Sequence, residues 1–144
     1  LDALTVYEGE YAKLNQALVS LYRKLDISNA FETKELTLPE LIGMKERFLG
    51  SLEQDFNTPN GITEIQSLIK WTNTAIRGKT DISSLQEALG LFELMLSIFG
   101  IRHQAKRMNE EDKTLYLRWE NARKNKDFAL ADELRQALQE KGLL

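Results

Sequence analysis

Between Ala122 and Asp132 the chain reads ARKNKDFALAD. Arg123, Lys124 and Lys126 stand beside Phe128, and Asp132 closes the segment. Cations bind phosphates, an aromatic face stacks on an unpaired base, and a carboxylate accepts hydrogen bonds from a base edge. Together these groups are what recognition of single-stranded RNA requires. The same residues also admit a structural role. Phe128 could fold back onto the preceding helix, and Asp132 could pair with Arg135 or Lys124 at the surface. The cations from Arg123 to Lys126 could neutralise the carbonyl end of that preceding helix.

Other chemistries find little support. The chain has no cysteine, so disulfides, thiolate metal sites and cysteine nucleophiles are absent from it. Its one histidine, His103, lies between Arg102 and Lys106, lacks partners at zinc-ligand spacing and reads as a solvated loop residue. No serine–histidine–aspartate motif and no glycine-rich phosphate loop accompany it. The expectation is therefore no catalytic residue, metal or cofactor site within this stretch of chain. A net charge of −3 and a pI near 5.3 do not suit a general nucleic-acid binder. An RNA role must rest on a local patch. No apolar run approaches the roughly 18 residues of a membrane span, the longest being interrupted by Glu93, and residues 1–13 lack a secretory pattern. No membrane partner is expected.

The elements that position the segment are helices. Leu4, Tyr7, Tyr11, Leu14, Leu18, Leu21 and Leu25 keep a 3-4 spacing that predicts a helix from about Asp2 to Leu25, with a seam suited to bundle packing. Residues 26–38 read as a connection. Pro39 sits at the start of a second helix with Leu41, Met44, Phe48 and Leu52 on its stripe, ending near Gln54. Thr58 as cap and Pro59 open a third, striped by Ile62, Ile65, Ile69 and Ile76, and Gly78 stops it. Asp81 or Ser83 caps a fourth, whose wide apolar face (Leu85, Ala88, Leu89, Phe92, Met95, Leu96, Phe99) marks it as central. Gly100 ends that helix, and 101–108 form a basic connector. Asn109 caps a fifth helix with Glu110, Glu111 and Asp112 in its first turn; Leu115, Trp119 and Ala122 share a face. After a break at 125–127, Asp127 caps a sixth helix that runs to about Lys141 and is closed by Gly142. No strand pattern appears. The predicted fold is all-α: an antiparallel four-helix bundle over 1–100, then a small helical hairpin over 101–144.

At 100° per residue, Leu130, Leu134, Ala137 and Leu138 cluster on the core side of the sixth helix. Phe128 projects roughly 120° and Asp132 roughly 160° away from that cluster. Phe128, Asp132 and Arg135 thus share an outer face at i, i+4 and i+7.

The segment from Ala122 to Leu144 resembles the C-terminal region of cysteinyl-tRNA synthetases, with its A-R-x-x-K-D-[WF]-x-x-A-D pattern, helix and G-[IL] step. Gln54-Asp55-Phe56-Asn57-Thr58-Pro59 is similar to the family's D-D-F-N-T-P turn. Leu89-Gly90-Leu91 and Phe99-Gly100 fall where the family has its leucine-rich bundle helix, and the first 50 residues agree only in character. The resemblance implies a DALR-type helical bundle followed by an anticodon-binding subdomain, belonging to a ligase that attaches cysteine to tRNA(Cys) with ATP. It implies that Phe128 stacks on an unstacked base, Asp132 accepts from a base edge, and Arg123 contacts a base or phosphate, with Lys124 and Lys126 beside them. The partners it implies are the tRNA(Cys) anticodon stem-loop and an N-terminal catalytic domain; ATP and zinc would belong to that domain, in the cytoplasm. The motifs H-x-G-H and K-M-S-K-S are missing here, so catalysis is not expected of this stretch alone. Where members commonly have tryptophan, Phe128 stands. In the family a glycine-containing tail with a short β element follows the G-[IL] step, whereas this sequence stops at Leu144. Two alternatives are a helical protein-interaction module and the bundle of the related cysteine ligase of mycothiol biosynthesis. The ARKNKDF segment weighs against the second.

Overall fold

The computed structural model describes residues 3–53, 58–78 and 80–144; for 3–7 and 58 it describes the backbone alone. The described residues form six helices: α1 (Ala3–Ile27), α2 (Pro39–Glu53), α3 (Thr58–Arg77), α4 (Ile82–Phe99), α5 (Glu110–Lys124) and α6 (Phe128–Glu140). No strand occurs among the described residues. The Leu4 and Tyr7 side chains of the predicted seam, the Thr58 cap and the turn at 54–57 lie outside what is described.

Helices α1 to α4 bury one core. Leu14, Leu18, Leu21 and Leu25 of α1 meet Leu41, Met44 and Phe48 of α2 and Ile65, Leu68 and Ile69 of α3. α3 packs on α1, α2 and α4, while α4 packs on all three others. That centrality follows from the wide apolar face of α4, which buries residues on nearly every side, from Leu85 to Leu96. α4 is 18 residues long with a mean hydropathy of 1.3, so it does reach the length and composition of a membrane span, contrary to the expectation from the sequence. Here those residues fill the bundle core instead.

Local chemistry sets the helix ends. Gly100 takes φ 65°, a left-handed conformation that glycine adopts at no steric cost. Behind it the Ile101 N–H donates to the Leu96 carbonyl at 2.9 Å, closing α4. Asp81 precedes α4 as predicted, without a side-chain cap bond. Gly61 of α3 is required for close approach: a Cβ there would stand 2.5 Å from the Phe99 ring.

Both connections read as loops, yet both pack. In the first, Phe31, Leu36 and Leu38 rest on the core. Glu87 of α4, 2% exposed, accepts from the Thr37 and Leu38 N–H groups at 2.6 and 3.0 Å and from the Thr37 hydroxyl at 2.9 Å. Burial of Glu87 opposes its charge, but these donors outweigh it and hold the carboxyl below its ordinary value. The acid thereby anchors the entry to α2, where Pro39 offers no N–H. In the second connection, the Tyr11 hydroxyl donates to the Arg102 carbonyl at 2.6 Å, and the Gln104 N–H donates to Asn15 Oδ1 at 2.7 Å.

His103 is part-buried rather than solvated. Its Nδ1 accepts from the Ala105 N–H at 3.2 Å and its Nε2 lies 3.3 Å from the Tyr22 hydroxyl, so the proton belongs on Nε2. Burial pushes its pKa down, against the pull of Glu93.

Candidate RNA-binding groove

The α5–α6 hairpin is shaped by residues that also appear in the segment of interest. Asn109 opens α5 with a capping box: its side chain accepts from the Asp112 N–H at 2.8 Å, and Asp112 accepts from the Asn109 N–H at 3.2 Å. At the other end the Asp127 N–H donates to the Ala122 carbonyl at 2.9 Å and the Lys126 N–H to the Arg123 carbonyl at 3.1 Å. Lys126 sits between them at φ 59°, a left-handed position where glycine or asparagine is usual. Asp127 then caps α6, accepting from the Leu130 N–H at 3.3 Å. ARKNKD is therefore a helix stop followed at once by a helix start.

Two small cores hold the hairpin. Ala122, Ala131 and Leu134 pack together with Leu115, Trp119 and Leu130 around them. Met108, Tyr116, Leu138 and Leu143 form the other, against Ile27 of α1. Leu134 and Leu138 thus face inward as the helical projection predicts, and Phe128 faces out at 66% exposure. It does not fold back onto α5.

What results is an open groove of about 870 Å³ between the helices. Its wall on α5 is formed by Trp119, Arg123 and Lys124, and its wall on α6 by Phe128, Asp132 and Arg135. Buried Ala131 lies at its floor, a small residue that lets the helices approach. The Arg123 guanidinium carbon lies 4.7 Å from the Trp119 ring centroid, a cation–π contact. Among the described residues Asp132 makes no ion pair, so neither Arg135 nor Lys124 satisfies it. Three cations and two acids (Glu120 and Asp132) line the groove, a net positive site in a chain of net charge −3.

Of the five residues expected from the sequence, the structure gathers Arg123, Lys124, Phe128 and Asp132 around one groove; Lys126 lies on the adjoining turn and does not line it. Trp119 and Arg135 are additions. Trp119 read as a core residue because it shares the α5 seam with Leu115 and Ala122, but it is only half-buried. The signal was its i, i+4 spacing from Arg123, which puts ring and cation on one helix face.

Such a surface offers an exposed ring for stacking, an oriented guanidinium, and a carboxylate free to accept from amino or imino groups of a base. Residues 47–104 match the DALR domain family. The chain is 33% identical over 111 residues to a cysteine–tRNA ligase of Streptococcus thermophilus, covering 77% of this chain and 23% of that protein. It is 32% identical to the cysteine–tRNA ligase of Geobacillus thermodenitrificans over 92% of this chain and 29% of the relative. Against the Enterococcus faecalis cysteine–tRNA ligase it is 31% identical over 94% of this chain and 30% of the relative. The chain spans under a third of the length of the relatives it matches. No solved structure matches it.

Proposed function

We propose, for a chain that belongs to the cysteine–tRNA ligase family by its DALR domain and its relatives, that the α5–α6 groove reads the anticodon of tRNA(Cys). The observation that carries this is the groove itself: Phe128 exposed beside Asp132, which forms no ion pair among the described residues, and an Arg123 held on Trp119. Phe128 stacks on an unpaired base, Asp132 accepts from a base edge, and Arg123 contacts a base or phosphate. Lys124 and Lys126 add positive charge for the backbone.

The larger protein is then a ligase that attaches cysteine to tRNA(Cys) using ATP in the cytoplasm, and the bundle over 1–100 packs against its catalytic domain. The hairpin over 101–144 is the anticodon-binding subdomain. Zinc does not fit this chain's residues. There is no cysteine, His103 is engaged by Tyr22 and Ala105, and no group of three histidines or acids converges among the described residues. ATP and zinc are assigned to the catalytic domain, and the groove contributes binding alone.

The test is tRNA(Cys) binding by the chain, followed by fluorescence anisotropy. Phe128→Ala removes a stacking contact of about 1–3 kcal/mol, so affinity is expected to fall roughly 5- to 150-fold. Because Phe128 is 66% exposed, thermal stability should hardly change. Unchanged affinity in a folded variant contradicts the proposal.

A further inference from the structure

Glu120 is the second acid of the α5–α6 groove and stands on its α5 wall, whereas Asp132 stands on the α6 wall. Arg123 and Lys124 follow Glu120 at i+3 and i+4, the spacings at which ion pairs form along a helix. Among the described residues Glu120 nevertheless makes no ion pair. Its partner is neutral: Oε1 accepts from the Tyr116 hydroxyl at 3.2 Å. Arg123 is turned instead to the Trp119 ring.

Tyr116 holds that hydroxyl in a fixed place. The residue is 8% exposed and belongs to the small core with Met108, Leu138 and Leu143. The Arg23 guanidinium of α1 lies 5.4 Å from its ring centroid, and the Trp119 ring lies 5.5 Å away. Burial is the main cause that pushes the Tyr116 pKa up, so the hydroxyl stays protonated and remains a donor. One oxygen of Glu120 is thus committed to a fixed donor. The other makes no hydrogen bond among the described residues, and neither oxygen of Asp132 does.

The two acids therefore differ in what they can accept. A carboxylate with two open oxygens suits a pair of neighbouring donors, whereas one with a single open oxygen suits a lone amino group. A base that presents a carbonyl oxygen at that point, as uracil does, is repelled by the same carboxylate. A phosphate is repelled likewise, which keeps this wall for bases although cations flank it.

We infer that Glu120 is a further specificity-determining residue of the groove: it accepts from the exocyclic amino group of an unpaired base and rejects uracil there, with Tyr116 positioning it. The inference rests on the function proposed above.

The experiment measures the affinity of the chain for a tRNA(Cys) transcript, and for transcripts in which each amino-bearing anticodon base is singly changed to uracil, at fixed salt. Glu120→Gln keeps a carbonyl acceptor for Tyr116 but puts an amide donor where the open oxygen was. The native chain should disfavour uracil at the position that Glu120 reads on the order of tenfold. Glu120→Gln should abolish or invert that preference at that one position. Tyr116→Phe keeps the ring and removes only the hydroxyl, so it should reduce the same preference and leave the other positions as they are. Both variants should keep the native circular dichroism spectrum. If Glu120→Gln keeps every preference while Phe128→Ala still weakens binding, Glu120 reads no base and the anticodon proposal survives. An equal change at every position would mark a general charge effect and overturn the inference as well. If Tyr116→Phe changes nothing, Tyr116 does not position Glu120. If the native chain binds no transcript at low salt, both proposals fall.

Discussion

Arg123 lies on the face of Trp119, and that contact limits where its guanidinium can point. Exposed cation–π contacts are worth about 0.5–1 kcal/mol, so Trp119→Leu should weaken tRNA binding roughly two- to fivefold. It should add nothing once Arg123→Ala is in place, and Trp119→Phe should restore most of the loss. A double-mutant cycle in tRNA affinity checks this; additive losses would mean that Trp119 acts independently of Arg123. Phe128 and Asp132 were legible in the sequence because the direction of a side chain within one helix depends only on the helical period. Trp119 was not, because its partial exposure depends on where α6 crosses α5. The place of Lys126, on the turn beside the groove at φ 59°, was likewise not legible, because it depends on the backbone of the helix break rather than on the helical period.

At the scale of elements, the capping signals Asn109, Asp127 and Gly100 were readable because capping is local chemistry. The two connections are irregular, as their sequence implies, but their packing was not readable. They have no period, and what they pack against lies far away in sequence, as with Thr37 on Glu87 and Gln104 on Asn15. Asp112 joins the two ends of the hairpin: besides serving the α5 capping box, it accepts from Lys141 at 2.9 Å. The Lys141 hydrogen bond is the main reason its pKa is lowered; burial opposes it, and the Asn109 N–H adds to the lowering. A lowered folded-state value means that the stabilisation is present above the ordinary aspartate value of about 3.9. It is lost as the pH falls from there through the folded-state value. Thermal melts across that acidic window should show a falling transition temperature for the native chain and a flatter profile for Asp112→Asn. Identical profiles would remove Asp112 from the acid response.

Across the whole molecule, bundle and hairpin are tied together at the C-terminal end of α1. Asp26, 1% exposed, accepts from Arg107 Nε at 2.7 Å and from the Met108 N–H at 2.8 Å. The Arg107 guanidinium also lies 3.8 Å from the Phe31 ring centroid. A buried carboxylate so bonded fixes the start of the hairpin, and removing such a partner leaves unpaired buried groups. The helix count and the central place of α4 followed from apolar periodicity, whereas this junction did not. Asp26 sits where the helical pattern ends, and its partners are about 80 residues away. The junction sets the hairpin against the bundle, leaving the Phe128 face open. This is the face proposed to discriminate anticodons. Its most direct test is the ratio of affinities of the chain for tRNA(Cys) and for the same tRNA with one anticodon base changed, at fixed salt, before and after Asp132→Ala. The native chain should favour the cognate anticodon, and loss of a base-edge contact worth about 1–3 kcal/mol should flatten that preference in the variant. A native chain with no preference, or a variant that keeps it whole, would contradict the claim.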